Sequence, residues 1–246
     1  MDNGKSLYRN PTLVRQKITS IAQLLRLPSV CVLCQQYHRD PFAVCQPCND
    51  LFKQINHACY YCALPLPDAK FLACGVCSQK KPGFDHTITR YYFEEPLRTL
   101  IHEFKYRDAF YLRTFLTKLM LDALPEKTIS TQCLVPVPLH PRRLQQRGFN
   151  QAAELAKLLA KQLKIPCELN LCKKIIHTIP QANLDSQRRR KNLHQAFQVK
   201  INNYNHITLI DDLLTTGSTV NELARLFKQQ GVTRVDVWCC ARTSSS

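Results

Sequence analysis

The chain has 246 residues, with 34 Lys and Arg against 18 Asp and Glu, a formal net charge of +16 and a pI near 9.4. A hydrophobic fraction of 45% supplies a real core, and only 6 glycines argue against a low-complexity chain; the basic excess favours nucleic acid or phosphorylated compounds as partners. No apolar run approaches the ~20 residues of a membrane span, and Met-Asp-Asn-Gly-Lys lacks the apolar core of a secretory signal, so the expected setting is cytoplasmic.

Residues 1–28 read as a basic amphipathic helix that packs on its neighbour, with Val14, Ile18, Ile21 and Leu25 on one face and Pro28 as its stop. Residues 29–82 carry four Cys-x-x-Cys pairs in succession: Cys31/Cys34, Cys45/Cys48, Cys59/Cys62 and Cys74/Cys77. Without an export signal, such cysteines favour metal over disulfides. Two thiolates three positions apart grip one metal from a tight turn, and two such turns complete a tetrahedral site. Eight thiolates therefore predict two structural zincs in a double zinc ribbon, folded largely by the metal. Sequential and interleaved pairings both fit the spacing, and an iron–sulfur centre fits it less well. His38 and His57 are read as solvated or locally bonded, Leu64-Pro65-Leu66-Pro67 as a stiff connector. Tyr60 and Tyr61 with Lys70, Lys80 and Lys81 offer stacking and charge to single-stranded nucleic acid, although tyrosines on such ribbons more often pack.

A second domain is expected over residues 84–243. Residues 87–93 read as a strand. Glu94-Glu95-Pro96 then opens a helix with Leu97, Leu100, Ile101 and Phe104 inward that closes on Lys105, Tyr106 and Arg107. A further helix places Leu112, Phe115, Leu116, Leu119 and Ala123 inward and stops at Pro125. Residues 133–138 form a buried strand entering a loop with Arg142, Arg143 and Arg147. Asn150 caps a helix whose Ala153, Ala156, Leu159 and Leu163 face inward. Residues 173–197 hold a basic cluster that includes Arg189 and Arg190.

Residues 206–210 form a buried strand ending in Asp211-Asp212. The polar loop Thr215-Thr216-Gly217-Ser218-Thr219 follows, a helix covers 220–230, and residues 232–240 form the last strand. Helix N-termini attract phosphate through unpaired N–H groups and a partial positive charge, and carboxylates at the end of a parallel strand accept hydrogen bonds from ribose. An ordinary capped turn needs only an Asp and a Ser or Thr; the complete string in strand–loop–helix order favours a ligand. Cys133, Cys167, Cys172, Cys239 and Cys240 read as small core residues.

The run from Leu209 to Thr219 resembles the phosphoribosyl-pyrophosphate (PRPP) signature of type I phosphoribosyltransferases. That resemblance implies a Rossmann-like α/β fold with a parallel sheet, Asp211 and Asp212 on the ribose hydroxyls and residues 215–219 around the 5′-phosphate. Val135-Pro136-Val137-Pro138-Leu139, Arg142-Arg143-Leu144, Arg147-Gly148-Phe149-Asn150-Gln151 and the ending Val237 to Arg242 resemble the ComF family, its GntX-like branch above all. Members join an N-terminal zinc ribbon to a phosphoribosyltransferase domain. The resemblance implies that Arg142, Arg143 and Arg147 face pyrophosphate, that Arg189 and Arg190 belong to a hood, and that magnesium accompanies PRPP. Three functions follow: an accessory factor in DNA uptake and natural transformation, with single-stranded DNA and competence-machinery proteins as partners; a nucleobase phosphoribosyltransferase; or a non-catalytic PRPP sensor.

Overall fold

The computed structural model describes residues 28–107, 109–125, 130–175 and 196–244. The N-terminal helix expected over residues 1–28 and the hood arginines Arg189 and Arg190 lie outside them.

Four parallel strands make the central sheet in the order β3 (His86–Ile88), β9 (Arg234–Arg242), β8 (His206–Leu214) and β5 (Cys133–Pro136), and the short β4 (Tyr91–Tyr92) also pairs with β9. β8 and β9 are mostly apolar and mostly buried, as strands covered on both faces must be. Alternation then sorts their side chains between two cores. Leu134, Ile210, Trp238 and Cys240 join a cluster with helices α3 (Leu97–Tyr106), α4 (Leu112–Asp122) and α6 (Gln151–Leu163). Val135, Leu209, Val237 and Cys239 join another with α7 (Ser218–Gln229) and the antiparallel pair β6 (Cys172–Lys174) and β7 (Phe197–Val199). The result is a helix–sheet–helix sandwich of mixed α/β class. Cys133, Cys172, Cys239 and Cys240 are buried core residues, while Cys167 is half-buried.

Three boundaries differ from the sequence reading. The expected 87–93 strand is two short pieces, both on β9. β8 continues through Asp211-Asp212 to Leu214, because Leu213 and Leu214 still pair with Ala241 and Arg242. α6 buries Gln151 and Ala152, with Ala153 only half-buried, because the helix begins directly after Asn150 and turns its stripe by one position.

The cysteine-rich segment holds β1 (Ser29–Val30), β2 (Tyr37–His38) and the short helices α1 (Gln46–Asp50) and α2 (Gly75–Gln79). Its first half docks on α4: Phe42 and Phe52 meet Phe115 with ring centroids 6.1 and 5.8 Å apart, and Phe52 meets Tyr91 edge-on. Such aromatic contacts give the segment an apolar anchor that its own small core does not supply.

Candidate functional site

The eight cysteines resolve into two groups, Cys31/Cys34/Cys45/Cys48 and Cys59/Cys62/Cys74/Cys77, with the four Sγ atoms of each within 4.8 Å of one another. Pairing is therefore sequential. Both groups repeat one local design. The first pair sits on a turn closed by Gln35 N–H to Cys31 O and Ala63 N–H to Cys59 O, with Gln35 and Ala63 in the left-handed region at φ 61° and 54°. The second pair opens a helix, with Cys45 and Cys74 as N-caps in extended conformation. Zn–S bonds of about 2.3 Å require tetrahedral edges of about 3.8 Å. Cys34 and Cys45 Sγ lie 3.8 Å apart, and Cys62 and Cys74 Sγ 3.7 Å apart, so both groups could hold a structural zinc. A hydrogen bond from Cys62 lowers the Cys59 thiol whereas burial raises Cys77, and a cation bound among them would favour all four as thiolates. His38 is locally bonded rather than solvated: its buried ring accepts from Asp40 N–H at 3.2 Å.

At the carboxyl end of the sheet, the inner strand β8 presents its acidic pair. Successive strand residues point to opposite faces. Asp212 turns to the side of α3, where Lys105 Nζ meets its Oδ1 at 3.0 Å, with the two side chains only 16% and 7% exposed. Asp211 turns to the other side, and burial, then the Asp212 charge, pushes its carboxyl up to about 8 against the opposing pull of Lys105. Burial acts to lower the Lys105 ammonium, but Asp212 and Asp211 outweigh it and its pKa is raised.

Thr215 and Thr216 are exposed, and Gly217 sits at φ 74°, a left-handed conformation that suits glycine. Ser218 and Thr219 already belong to the first turn of α7, so the loop leads directly into a helix N-terminus. The Thr216 and Ser218 hydroxyls are 2.8 Å apart, which draws the turn together. The loop therefore offers hydroxyls and the amides of a helix start, of which Ser218 N–H reaches Thr216 Oγ1 at 3.4 Å, on the same edge as the carboxylates.

Parallel register brings the arginine segment to this edge. Pro136 stands opposite Ile210, and Val137 N–H donates to Ile210 O at 2.9 Å, so the chain leaving β5 runs beside Asp211. α5 (Pro141–Arg147) follows, opened by His140 Nδ1 accepting from Arg142 N–H. Arg142 is exposed; Arg143 lies near Lys174, whose ammonium burial and then the Arg143 charge hold down at about 8. Arg147 stacks 4.7 Å from the Tyr106 ring centroid and donates to the Tyr106 hydroxyl and to Gln151 Oε1.

The string 147–151 is a joint. Gly148 ends α5 in left-handed conformation at φ 74°. Phe149 fits between Phe104 and Phe110 at 5.6 and 5.3 Å. Asn150 accepts from Ala152 and Ala153 N–H to cap α6, and its own Nδ2 donates to Val137 O at 3.1 Å. Gln151 Nε2 donates to Phe104 O and Lys105 O at 3.5 and 3.3 Å. Together they lock the last turn of α3, the loop after β5 and the start of α6. The structure thus brings Asp211, Asp212, the 215–219 loop and Arg147 to one edge of the sheet.

Two participants escaped the sequence reading. Lys105 read only as a helix end, in the mixed polar turn His102-Glu103-Phe104-Lys105-Tyr106-Arg107. Arg242 was only part of a similar ending, yet among the described residues it is the largest fully buried side chain, 2% exposed. Its Nε donates to Cys62 O at 2.9 Å and its Nη1 to Leu214 O at 3.3 Å and to Thr243. One guanidinium therefore joins the second cysteine group to the residue before the Thr/Gly/Ser loop. Gly83 N–H to Asn221 Oδ1 at 2.6 Å and Phe84 against Gly217 add to that link. Tyr60 stacks on His86 with centroids 4.3 Å apart, which uses one face of its ring.

No protein-family model matches the chain. Among curated proteins, it is similar to competence protein F of Haemophilus influenzae, 32% identical over 224 residues that cover 86% of this chain and 96% of that protein. The DNA utilization protein YhgH of Escherichia coli strain K12 is 32% identical over 231 residues, 89% of this chain and all of that protein. Competence protein ComFC of Bacillus subtilis is 29% identical over 206 residues, 76% of this chain and 79% of that protein. Identity at this level across nearly the full length means that the chain belongs to the ComF family.

Proposed function

We infer that this protein binds a phosphoribosyl ligand, PRPP or a close relative, and serves DNA uptake in natural transformation. The observation that carries the ligand reading is the sheet edge at the end of β8: Asp211-Asp212, then Gly217 at φ 74°, then a helix start. In this reading the domain over residues 84–243 has the fold of type I phosphoribosyltransferases. Asp211 and Asp212 accept hydrogen bonds from the ribose hydroxyls. The amides and hydroxyls of Thr215, Thr216, Gly217, Ser218 and Thr219 surround the 5′-phosphate. Arg142, Arg143 and Arg147, with Arg189 and Arg190 in a hood, face pyrophosphate, where the planar guanidinium suits phosphate oxygens. Magnesium accompanies the ligand and is held mostly by its oxygens and water. Two structural zincs hold the cysteine groups over residues 29–82.

The DNA part of the proposal is supported by the names of the relatives, competence protein F and DNA utilization protein, and by the net charge of +16. Single-stranded DNA and proteins of the uptake machinery are the partners it implies. No helix among the described residues is long and apolar enough to cross a membrane.

Calorimetric titration of magnesium–PRPP into the protein and into Asp211→Ala/Asp212→Ala tests the ligand reading. Saturable binding lost in the variant supports it; equal binding by both refutes the ribose assignment. Pyrophosphate release across a panel of bases, abolished in the variant, would establish transfer, and binding without release would establish a sensor.

A further inference from the structure

Lys105 is a buried lysine whose ammonium is spent on one carboxylate oxygen. The pair is 3.0 Å long, with side chains 16% and 7% exposed. Buried ion pairs commonly contribute no more to stability than an apolar pair of the same volume, since both charges lose water. Packing alone thus gives little reason for a lysine at this position. Its location gives a better one.

Lys105 lies in the last turn of α3, where exposed helix carbonyls favour a cation. Gln151 fixes that turn by holding the carbonyls of Phe104 and Lys105, and the next residue, Tyr106, carries Arg147 on its ring. Adjacent residues of one turn thus meet the acidic pair, through Lys105, and the arginine segment, through Tyr106. A ligand whose ribose meets Asp211 and Asp212 while its pyrophosphate turns to Arg147 must pass a polyanion close to two carboxylates. A compact ammonium on a flexible stem suits that gap, because it can change partners by rotating a few bonds.

We propose that Lys105 is a ligand-binding residue of this site, which pairs with Asp212 in the free protein and transfers its ammonium to a pyrophosphate oxygen on binding, leaving Asp212 to the ribose hydroxyls. This rests on the phosphoribosyl reading above. It gives Lys105 two partners of like charge in turn, so the ligand replaces one ion pair with another instead of exposing a buried charge.

The test compares magnesium–PRPP with ribose 5-phosphate, which has the ribose and 5′-phosphate but no pyrophosphate. Affinities are measured for wild type, Lys105→Met, Asp212→Asn and Lys105→Met/Asp212→Asn, with zinc content and melting temperature as folding controls. The double variant buries no unpaired charge and keeps the comparison open if Lys105→Met alone folds poorly. Lys105→Met should weaken PRPP about 10- to 100-fold, the range of one charged hydrogen bond, and ribose 5-phosphate less than about threefold. The same selective loss should appear between Asp212→Asn and the double variant. Equal loss for both ligands, or a loss that vanishes in the Asp212→Asn background, would mean that Lys105 acts only through Asp212 and would overturn the proposal. Wild type that binds neither ligand would instead refute the phosphoribosyl reading, and the proposal with it.

Discussion

Replacing Arg242 with methionine removes a buried side chain that joins the second cysteine group to the end of β8. Nε serves Cys62 O at 2.9 Å, and Nη1 serves Leu214 O at 3.3 Å, Thr243 O at 3.0 Å and Thr243 Oγ1 at 2.9 Å. No carboxylate pairs with it among the described residues. Its charge is balanced by these carbonyl and hydroxyl dipoles. Methionine of similar volume preserves packing but leaves Cys62 O and Leu214 O without their donor. Buried acceptors that lose a charged partner cost about 1–3 kcal/mol each, so a total of about 3–5 kcal/mol is expected after local relaxation. For a chain of this size that corresponds to a drop of roughly 8–15 °C in Tm. Urea unfolding monitored by circular dichroism, with a colorimetric zinc chelator in parallel, should show the lower midpoint together with faster release of one zinc of two. A loss below about 1 kcal/mol, or release of both zincs alike, would refute the claim that Arg242 couples these elements.

Asp211→Asn should stabilise the free protein increasingly as pH rises. The folded carboxyl sits at about 8 against an ordinary value of 3.8, so between those values the folded state holds a proton that the unfolded chain has released, and wild type loses stability across that window. Asparagine cannot ionise, and the difference between variant and wild type in urea unfolding should grow by at least about 1.4 kcal/mol from pH 6 to pH 8.5; a constant difference would contradict it. Asn150→Ala loses both the α6 cap and the bond to Val137 O, with an expected cost of about 1–2 kcal/mol by chemical denaturation; a change of only a few tenths would show that neither matters. Chelation at neutral pH should remove two zinc equivalents and unfold the cysteine-rich segment, seen as amide exchange over residues 29–82; unchanged exchange in the metal-free protein would show that the segment folds without it.

Much of this protein was legible before any coordinates. Cys-x-x-Cys spacing announces metal because two thiolates on one turn already have the geometry of a ligand pair. The apolar runs of β8 and β9 announce buried parallel strands for the same local reason: every residue must face a covered surface. The acidic pair and the Thr/Gly/Ser loop occupy consecutive positions, so their order along the chain is their order in space. The resemblance to ComF proteins rested on such contiguous strings and is supported by relatives of matching length.

What spacing left open, the tertiary structure decided. Sequential pairing of the cysteines follows from the turn at Gln35 or Ala63 and the helix capped by Cys45 or Cys74, which fold each group back on itself within one unit. Lys105 is 107 positions from Asp212, and Arg242 is 180 from Cys62. Neither carries a local pattern, because a lone basic residue reads as solvated unless something distant buries it. Gln151 stood in the sequence only as the end of the 147–151 string; the start of α6 turns it inward onto α3. Sequence alone determined which candidate groups for metal and phosphate this protein carries, since such groups are strings of near neighbours. Only the fold decided which cations stand beside them, because burial and charge pairing are properties of chains brought together from far apart.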